Sequence, residues 1–206
     1  MGVPIRFPMT EPRTHSAPLS TPRFLSPDVS GLSPAARDAS RWVQFTWRPV
    51  SPEFPAAAPT DEIRPATEEE RHEALDVILR SFSMDSSWND SYLRMEQYLN
   101  SAADRLFRTP EPLCLVMPRG NRLVAASLMD PDPASPNHLV SGPAVTMEYR
   151  NRGYATHLLS ASLLALEATG LTEIRGVTRE RTSSVRHVYP KFGSEAIPSA
   201  FPGSTS

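Results

Sequence analysis

The sequence predicts an α/β (α+β) domain in which helices pack against a mixed sheet, preceded by a proline-rich extension. Apolar residues recur every three or four positions over three long segments, which indicates amphipathic helices. Over several short segments they alternate or run together between turn residues, which indicates strands. The predicted order β-α-α-β-β-β-α-β-α is typical of helices covering a sheet. With 206 residues, 39% of them hydrophobic, the chain is long enough for one ordinary domain with a core.

The extension, residues 1–60, is set apart by its prolines. Eleven of the 22 prolines in the chain precede residue 60. Over residues 1–27 they recur among Ser, Thr and Arg, so we expect a disordered tail that propagates neither a helix nor a strand ladder. A short helix is predicted for residues 33–40, because Ser-Pro suits the cap and the first helical position. The Pro/Ala-rich residues 51–60 are expected to be a linker.

Residues 43–48 leave two interpretations open. Val43, Phe45 and Trp47 alternate with polar residues, so the segment has one apolar face at the spacing of a strand. It is then either a strand docked on the main domain or a chance alternation within the tail. Large aromatic side chains are unfavourable in water, and this is the argument for the docked strand.

The main domain, residues 61–206, is predicted to begin with a strand and two helices. A short strand at residues 62–64 precedes the first helix, whose start is marked by Thr67 and Glu70 in the spacing of a capping box. Apolar residues at helical spacing predict the second helix over about residues 89–106.

A hairpin and a further strand are predicted next. The apolar runs at residues 113–117 and 123–129 flank Arg-Gly-Asn, whose turn chemistry predicts that the two runs pair. A loop with three prolines follows at residues 130–137. The next strand is predicted at residues 139–146, where Pro143 requires a bulge or a position without a ladder hydrogen bond.

The last part of the domain is predicted to alternate between helix and strand. A long apolar helix over residues 153–169 is expected to end at Gly170, since glycine suits the position after a helix. A strand at residues 174–178 and a short helix at residues 183–189 follow.

Composition excludes several classes of protein. The formal net charge of −2 gives no electrostatic reason to expect nucleic acid or an anionic membrane as partner. The single cysteine, Cys114, excludes an internal disulfide and a cysteine-based metal cluster, and we expect no metal. No apolar run approaches the roughly 18 residues of a membrane span, and the N-terminus lacks the unbroken apolar stretch of a secretory signal. We therefore expect a cytoplasmic protein.

Residues 150–156 form a basic turn that leads from a strand into the long helix. The first N–H groups of a helix have no partner within it, carry partial positive charge and point at whatever lies off its end. Gly153 leaves room for a phosphate to approach the backbone, and Arg150 and Arg152 add charge and forked donors. The sequence therefore predicts an anion site here. Its spacing is neither that of a Walker loop nor that of a Gly-x-Gly-x-x-Gly dinucleotide fingerprint.

Residues 150–155, Arg-x-x-Gly-x-Ala, resemble the pyrophosphate-binding motif of the GNAT superfamily of N-acetyltransferases. Residues 63–67 and the helix after them resemble the first strand and helix of that family, and residues 121–125 resemble the beginning of its third strand. Residues 189–193, Tyr-x-Lys-Phe-Gly, resemble the motif that closes its last helix. The resemblance covers about residues 61–197. It implies a mixed, mostly antiparallel central sheet flanked by helices.

The resemblance also implies acetyl-CoA as the co-substrate and a role for individual residues. Main-chain groups of Val145 and Met147 would pair with the pantetheine arm. A primary amine of a small molecule or a peptide would attack the thioester directly in a ternary complex, and Tyr189 would protonate the departing thiolate. The pyrophosphate would be held by the main-chain N–H groups of Arg150, Asn151, Arg152, Gly153, Tyr154, Ala155 and Thr156.

Three departures from the family pattern keep a second function open, a GNAT-like module that binds acyl-CoA as a sensor without catalysis. Thr182 stands where many members carry Asn, and Val177 stands where some carry a catalytic Glu. Only 13 residues follow Gly193, too few for the two strands that normally finish the fold, unless residues 43–47 supply one of them. The intact turn and Tyr189 favour the enzyme.

The group that removes the proton of the amine is left open as well. Glu148 is expected at the mouth of the cleft, either as this catalytic base or as a solvated turn carboxylate. A water relay can replace a single base. His157 is expected to be structural, since its charged form would oppose the helix dipole. Residues 82–92, rich in Ser, Asp and aromatic side chains, are the expected acceptor lip, while the acceptor, the length of the acyl group and a homodimer are left open.

Overall fold

The computed structural model describes residues 41–48, 62–109 and 111–203. The tail, the short helix and the linker expected in the extension lie outside the described residues. Over the described ranges, two antiparallel sheets are flanked by helices, and the predicted fold class is confirmed.

The first sheet has four strands in the order β2-β3-β4-β5. Strands β3 (Cys114–Arg119) and β4 (Arg122–Leu128) form the predicted hairpin, and Gly120 in its turn has a φ of +61°. Strands β2 (Arg64–Pro65) and β5 (Ala144–Val145) are short and lie at the two edges. Every neighbouring pair is antiparallel.

The second sheet has three strands in the order β6-β1-β7. Its middle strand, β1 (Trp42–Trp47), comes from the extension. This strand pairs antiparallel with β6 (Ile174–Arg179) on one side and with β7 (Glu195–Ser199) on the other. Its alternate side chains are buried. The segment before residue 61 therefore contributes the centre of this sheet, and the short C-terminal segment contributes only an edge.

Residues 137–141 join the two sheets without forming a strand. Along β6, the Oδ1 atom of Asn137 accepts the Val177 N–H at 2.9 Å, and the Nδ1 atom of His138 accepts the Arg175 N–H at 2.9 Å. On their other side, these residues bond to main-chain groups at and just after the end of β4. Two side chains thus replace main-chain partners where the sheets meet.

The predicted strand at residues 139–146 is wrong over most of its length. Its apolar side chains are buried, as the pattern required. The backbone nevertheless turns, because Gly142 is left-handed at a φ of +61° and its N–H donates to the Leu139 carbonyl at 3.2 Å. Pro143 then has no N–H to give to a ladder. Only β5 keeps the conformation of a strand.

Three long helices cover the two faces of the first sheet. Helices α1 (Arg71–Ser83) and α2 (Tyr92–Leu106) pack on one face, and α3 (Tyr154–Ala168) packs on the other. Because both faces are covered, β3 and β4 are nearly continuous apolar runs rather than alternating ones. Gly170 follows α3 at a φ of +92°, as expected for a helix end. In the described part of the chain, no helix has the length and apolarity needed to cross a membrane.

Helix α1 begins later than the capping-box spacing predicts. Glu70, not Thr67, is the cap, and its carboxylate accepts the Thr67 N–H at 2.9 Å. The guanidinium of Arg64 in β2 donates two hydrogen bonds of 2.7 Å to the same carboxylate. These bonds lower the pKa of Glu70 to about 2, so the carboxylate stays charged and ties the start of α1 to the edge of the sheet.

Candidate active site

A cleft of about 630 Å³ opens between the ends of β5 and β6, which belong to different sheets. One wall is β5 with the turn that leads into α3. The opposite wall is the end of β6, helix α4 (Ser183–His187) and the 3-10 helix Tyr189–Phe192. The last turn of α1 and the 3-10 helix Ser86–Trp88 line a third side.

The turn before α3 exposes consecutive main-chain N–H groups. Asn151 and Gly153 are both left-handed, at φ values of +61° and +83°, and Gly153 caps α3. Asn and Gly enter this region at the lowest cost. A left-handed residue next to a helical one aims successive N–H groups into one concavity, which binds anions. Within the described ranges, the main-chain N–H groups of residues 151–155 donate to no main-chain carbonyl.

Two of the N–H groups expected to hold phosphate are used within the turn. The Arg150 N–H donates to the Met147 carbonyl at 3.2 Å, and the Thr156 N–H donates to the Gly153 carbonyl at 2.9 Å. The set of available donors is therefore residues 151–155 rather than residues 150–156.

The guanidinium of Arg150 points away from the turn. Its Nε donates to the Val145 carbonyl at 3.2 Å, and its Nη2 donates to the Ser81 carbonyl at 2.8 Å. Arg150 therefore braces β5 against the last turn of α1. Ser81 is 69 positions away in sequence, and no local pattern indicates this contact.

Aromatic rings and cations surround the turn. The rings of Tyr149 and Tyr154 stack with their centroids 6.2 Å apart. The guanidinium of Arg152 lies 5.2 Å from the Tyr149 ring centre, and that of Arg119 lies 5.1 Å from the Tyr154 ring centre. These contacts hold two cations beside the exposed N–H groups.

Lys191 is the only lysine of the chain, and it lies at the start of α3. Its Nζ is 3.5 Å from the Thr156 hydroxyl, in the first turn of that helix. A cation there opposes the positive end of the helix dipole, so the arrangement favours a bound anion between the two. The motif Tyr-x-Lys-Phe-Gly contains Lys191, but its spacing alone does not indicate this contact with the start of α3.

Strand β5 is an edge strand, and its residues line the cleft. Val145 pairs on its inner side with Ala125 of β4. Met147, two residues further on, is 45% exposed and lines the same cleft. An extended chain with amide groups, such as a pantetheine arm, fits along this edge as an added strand would.

Tyr189 lines the wall opposite β5. Because Pro190 follows it, the chain continues as a 3-10 helix. The Tyr189 ring packs edge-on against Phe45 and Trp47, with centroid distances of 4.9 and 5.2 Å. Its hydroxyl reaches Gly142, where an added Cβ would lie 2.8 Å from the oxygen. Burial raises the pKa of Tyr189 far above its ordinary value, so the hydroxyl keeps its proton at neutral pH.

The other titratable candidates are placed less favourably for proton removal. Glu148 is exposed and does not line the cleft. His138 is fully buried, and because its Nδ1 accepts the Arg175 N–H, its proton lies on Nε2, which donates to the Asp132 carbonyl at 3.1 Å. Burial lowers the pKa of His138, which keeps it neutral in this structural role. His187 is exposed and lines the cleft.

The segment expected to form the acceptor lip, residues 82–92, lies on the third side of the cleft. The rings of Phe82 and Trp88 meet edge-on at 4.6 Å, and both line the cleft. Arg179, buried at the end of β6, donates to both carboxylate oxygens of Asp90 at 2.6 and 2.9 Å and lowers the pKa of that carboxyl. The lip is thus fixed to the second sheet. Among the described residues, no group of His, Cys, Asp or Glu is arranged to hold a metal ion.

The comparisons with known proteins concern the family and the fold of the chain. The model of the acetyltransferase (GNAT) family matches residues 71–193. A GCN5-related N-acetyltransferase from Sphaerobacter thermophilus is similar in structure, with a TM-score of 0.51 and 16% identity over 78% of this chain and 50% of its own. A GCN5-related N-acetyltransferase from Rhodopseudomonas palustris gives a TM-score of 0.41 and 20% identity over 57% of this chain and 72% of its own. The chain spans half the length of the Sphaerobacter protein, and no curated protein sequence matches it.

Proposed function

Because the chain belongs to the GNAT acetyltransferase family, we propose that it transfers an acetyl group from acetyl-CoA to a primary amine in a ternary complex. One observation carries the proposal. Asn151 and residues 153–155, whose main-chain N–H groups are available, line the same cleft as the edge strand β5 and Tyr189. The cleft therefore offers a candidate group for each need of acetyl-CoA: an anion site, an edge for an extended arm and a proton donor.

The residues present suit acetyl-CoA. Main-chain N–H groups of Asn151 to Ala155 would bind the pyrophosphate, with Lys191 and Arg152 adding charge. The main-chain N–H groups of Val145 and Met147 would bind the pantetheine arm, since the carbonyls of both residues already accept hydrogen bonds from Arg150. Acetyl-CoA supplies the reactive thioester.

In the reaction, the nitrogen of a neutral amine attacks the thioester carbon and the carbon–sulfur bond breaks. The thiolate that leaves takes a proton from the Tyr189 hydroxyl, and the tyrosinate at once takes a proton from water, because burial disfavours its charged form. The attacking nitrogen loses its proton to water, since Glu148 does not line the cleft and His138 is neutral with both ring nitrogens bonded. Of the described residues that line the cleft, Asp85 and His187 are the groups to which that water can pass the proton. The acceptor would enter beside Phe82 and Trp88 as a small molecule or the end of a peptide.

A module that binds acyl-CoA without catalysis is the second candidate. The observation that favours it is that Asp85 is the only carboxylate among the described residues that line the cleft. Val177 is apolar, and Asp85 already accepts hydrogen bonds from the Ser87 N–H and hydroxyl at 3.0 and 2.6 Å. Turnover of acetyl-CoA against a panel of amines, read as release of free thiol, separates the two. If no amine in the panel causes release of thiol although acetyl-CoA binds tightly, the second candidate is favoured.

Acetyl-CoA is expected to stabilise the protein against unfolding. A ligand that binds only the folded state, at roughly 100 times its Kd, adds about 2.7 kcal/mol to the free energy of unfolding. The measurement is the thermal midpoint with and without acetyl-CoA. No shift at millimolar ligand would remove the cofactor assignment.

Tyr189→Phe is expected to lower kcat by about 100-fold and to leave the affinity for acetyl-CoA unchanged, since a general acid acts mainly in the transition state. Phenylalanine keeps the ring contacts with Phe45 and Trp47. Tyr98→Phe is the matched control, because it removes a hydroxyl that lies outside the cleft and, among the described residues, accepts a hydrogen bond from the Asn137 side chain at 3.1 Å. An unchanged kcat in Tyr189→Phe would exclude the hydroxyl from the mechanism.

A further inference from the structure

Two carboxylates of the acceptor lip, Asp85 and Asp90, differ in their surroundings. Both oxygens of Asp90 accept hydrogen bonds from the buried guanidinium of Arg179, and Asp90 does not line the cleft. Asp85 lines the cleft, and its Oδ1 atom accepts the N–H and the hydroxyl of Ser87 at 3.0 and 2.6 Å. Its Oδ2 atom has no hydrogen-bond partner among the described residues. One carboxylate oxygen of the lip is therefore available to a bound molecule or a water.

The position of Asp85 is fixed by short-range hydrogen bonds. Its N–H donates to the Phe82 carbonyl at 3.2 Å, and its carbonyl accepts the Trp88 N–H at 3.0 Å. Phe82 and Trp88 are the buried aromatic residues beside which the acceptor would enter. The side chain is fixed as well, since Asp85 caps the 3-10 helix Ser86–Trp88 through the bond from the Ser87 N–H. A half-buried carboxylate is thus held beside the place proposed for the amine.

Asp85 also lies where the cleft opens into a second cavity, of about 310 Å³. The two cavities have four lining residues in common: Asp85, Arg150, Ser183 and His187. The second cavity is lined on the side of the lip by the exposed residues Met84 and Ser86, so it leads to solvent. A proton that reaches Asp85 from the cleft therefore has a route to bulk water.

His187 is the other group of the cleft that can accept a proton, and it is placed less well. It is exposed, and no hydrogen bond from the described residues orients its ring. It shares the second cavity with Arg150 and Arg186, whose positive charges repel a protonated imidazole. A carboxylate attracts the positive charge that develops on an attacking nitrogen, and it becomes neutral when it takes the proton.

We propose that Asp85 is the base of the acetyl transfer: its Oδ2 atom takes, through one water, the proton that the attacking nitrogen loses. The lone pair of the amine forms the bond to the thioester carbon, and the electron pair of the broken N–H bond stays on nitrogen. The water takes this proton and gives one of its own to the carboxylate. The electron pair of the broken carbon–sulfur bond leaves with the thiolate. Asp85 then loses the proton to solvent through the second cavity. This inference rests on the proposed acetyl transfer.

Asp85→Asn tests the proposal, because asparagine has the same shape and still accepts the Ser87 N–H but is no base. The variant is expected to lower kcat by about 100-fold or more, the usual contribution of a general base. Its thermal midpoint and its affinity for acetyl-CoA are expected to stay at the values of the parent. Asp76→Asn is the matched control, since Asp76 is an exposed carboxylate of α1 outside both cavities.

Rescue separates a base from a residue that only shapes the lip. Asp85→Ala leaves space for a small carboxylate, so added formate is expected to raise its kcat by about tenfold, in proportion to the formate concentration. Formate is expected to have no effect on the parent. Asp85→Glu, which keeps the carboxylate, is expected to be more active than Asp85→Asn. If neither formate nor Asp85→Glu restores activity, the role of Asp85 is structural and the proposal is overturned.

An unchanged kcat in Asp85→Asn also overturns the proposal, and a loss in His187→Gln alone would assign the proton to His187 instead. Failure of the proposed function has a separate signature, since the parent itself then releases no thiol with any amine. In that case this inference fails together with acetyl transfer. Turnover by the parent with an equally active Asp85→Asn overturns the inference alone and leaves acetyl transfer in place.

Discussion

Gly153→Glu is expected to abolish acetyl-CoA binding and to leave a folded protein. The new carboxylate would lie beside the available N–H groups of residues 151–155, where it would accept their hydrogen bonds and repel a phosphate. Because each charged hydrogen bond contributes about 1.5–3 kcal/mol, the loss of two or more weakens binding by over roughly 100-fold. The measurement is the thermal shift caused by acetyl-CoA, followed by calorimetric titration.

The variant should fold because there is space for the side chain. A Cβ at position 153 would meet its nearest atom, in the His157 ring, at 3.8 Å. The φ of +83° costs about 1–2 kcal/mol for a residue other than glycine. Gly170→Glu is the matched control, since Gly170 has a φ of +92°, no atom within 4 Å of an added Cβ, and a place at the far end of the same helix. Equal ligand shifts in both variants would show that the pyrophosphate binds elsewhere.

The turn before α3 was predictable because it is local in sequence. Gly153 and the apolar helix after it are consecutive in sequence, and the physics of a helix start is the same in every fold. The use of Arg150 was not predictable in the same way. Its acceptors are the carbonyls of Val145 and Ser81, and the second becomes a neighbour only when α1 packs beside β5.

The buried segment at residues 137–141, between the two sheets, shows a second limit of prediction from the sequence. Its apolar residues Leu139 and Val140 are buried, as side-chain type alone favours. Its backbone is not that of a strand, since the side chains of Asn137 and His138 take the N–H groups of β6 that a strand would take. A hydrophobic pattern reports which side chains are buried, and it does not report which groups pair with the backbone.

The sequence indicates which side of strand β1 is buried, but it does not indicate which strands β1 pairs with. The alternation of Val43, Phe45 and Trp47 indicates one buried side, and the partners β6 and β7 lie more than a hundred residues away. The pairing of β1 also affects the candidate active site, because two of its side chains contact Tyr189. Phe45 and Trp47 form the wall on which the Tyr189 ring rests, and both lie outside the residues 71–193 that match the family. The extension therefore supports the wall of the candidate site that carries Tyr189.

Phe45→Ala is accordingly expected to destabilise the protein by about 3–5 kcal/mol, the usual cost of removing a buried phenyl ring from a core. Phe45 is 1% exposed in the middle strand of the second sheet, where a cavity cannot close by moving an edge. The measurement is the denaturant midpoint at an unchanged m value. Thr46→Ala is the control on the same strand, since Thr46 is only half-buried, and its expected cost is below about 1 kcal/mol.

The same variant tests whether β1 supports the proposed proton donor. Removing the phenyl ring takes away the edge-on contact at 4.9 Å and frees the Tyr189 ring to move. Under conditions in which Phe45→Ala remains folded, kcat is therefore expected to fall, while the affinity for acetyl-CoA, set by residues 151–155, stays within about twofold. A parallel loss of affinity for acetyl-CoA would mean that the packing of the second sheet affects the turn at residues 151–155. Equal stability of Phe45→Ala and Thr46→Ala would contradict the packing of β1 itself. In a docked strand, truncating a side chain on the buried face must cost more stability than truncating one on the other face.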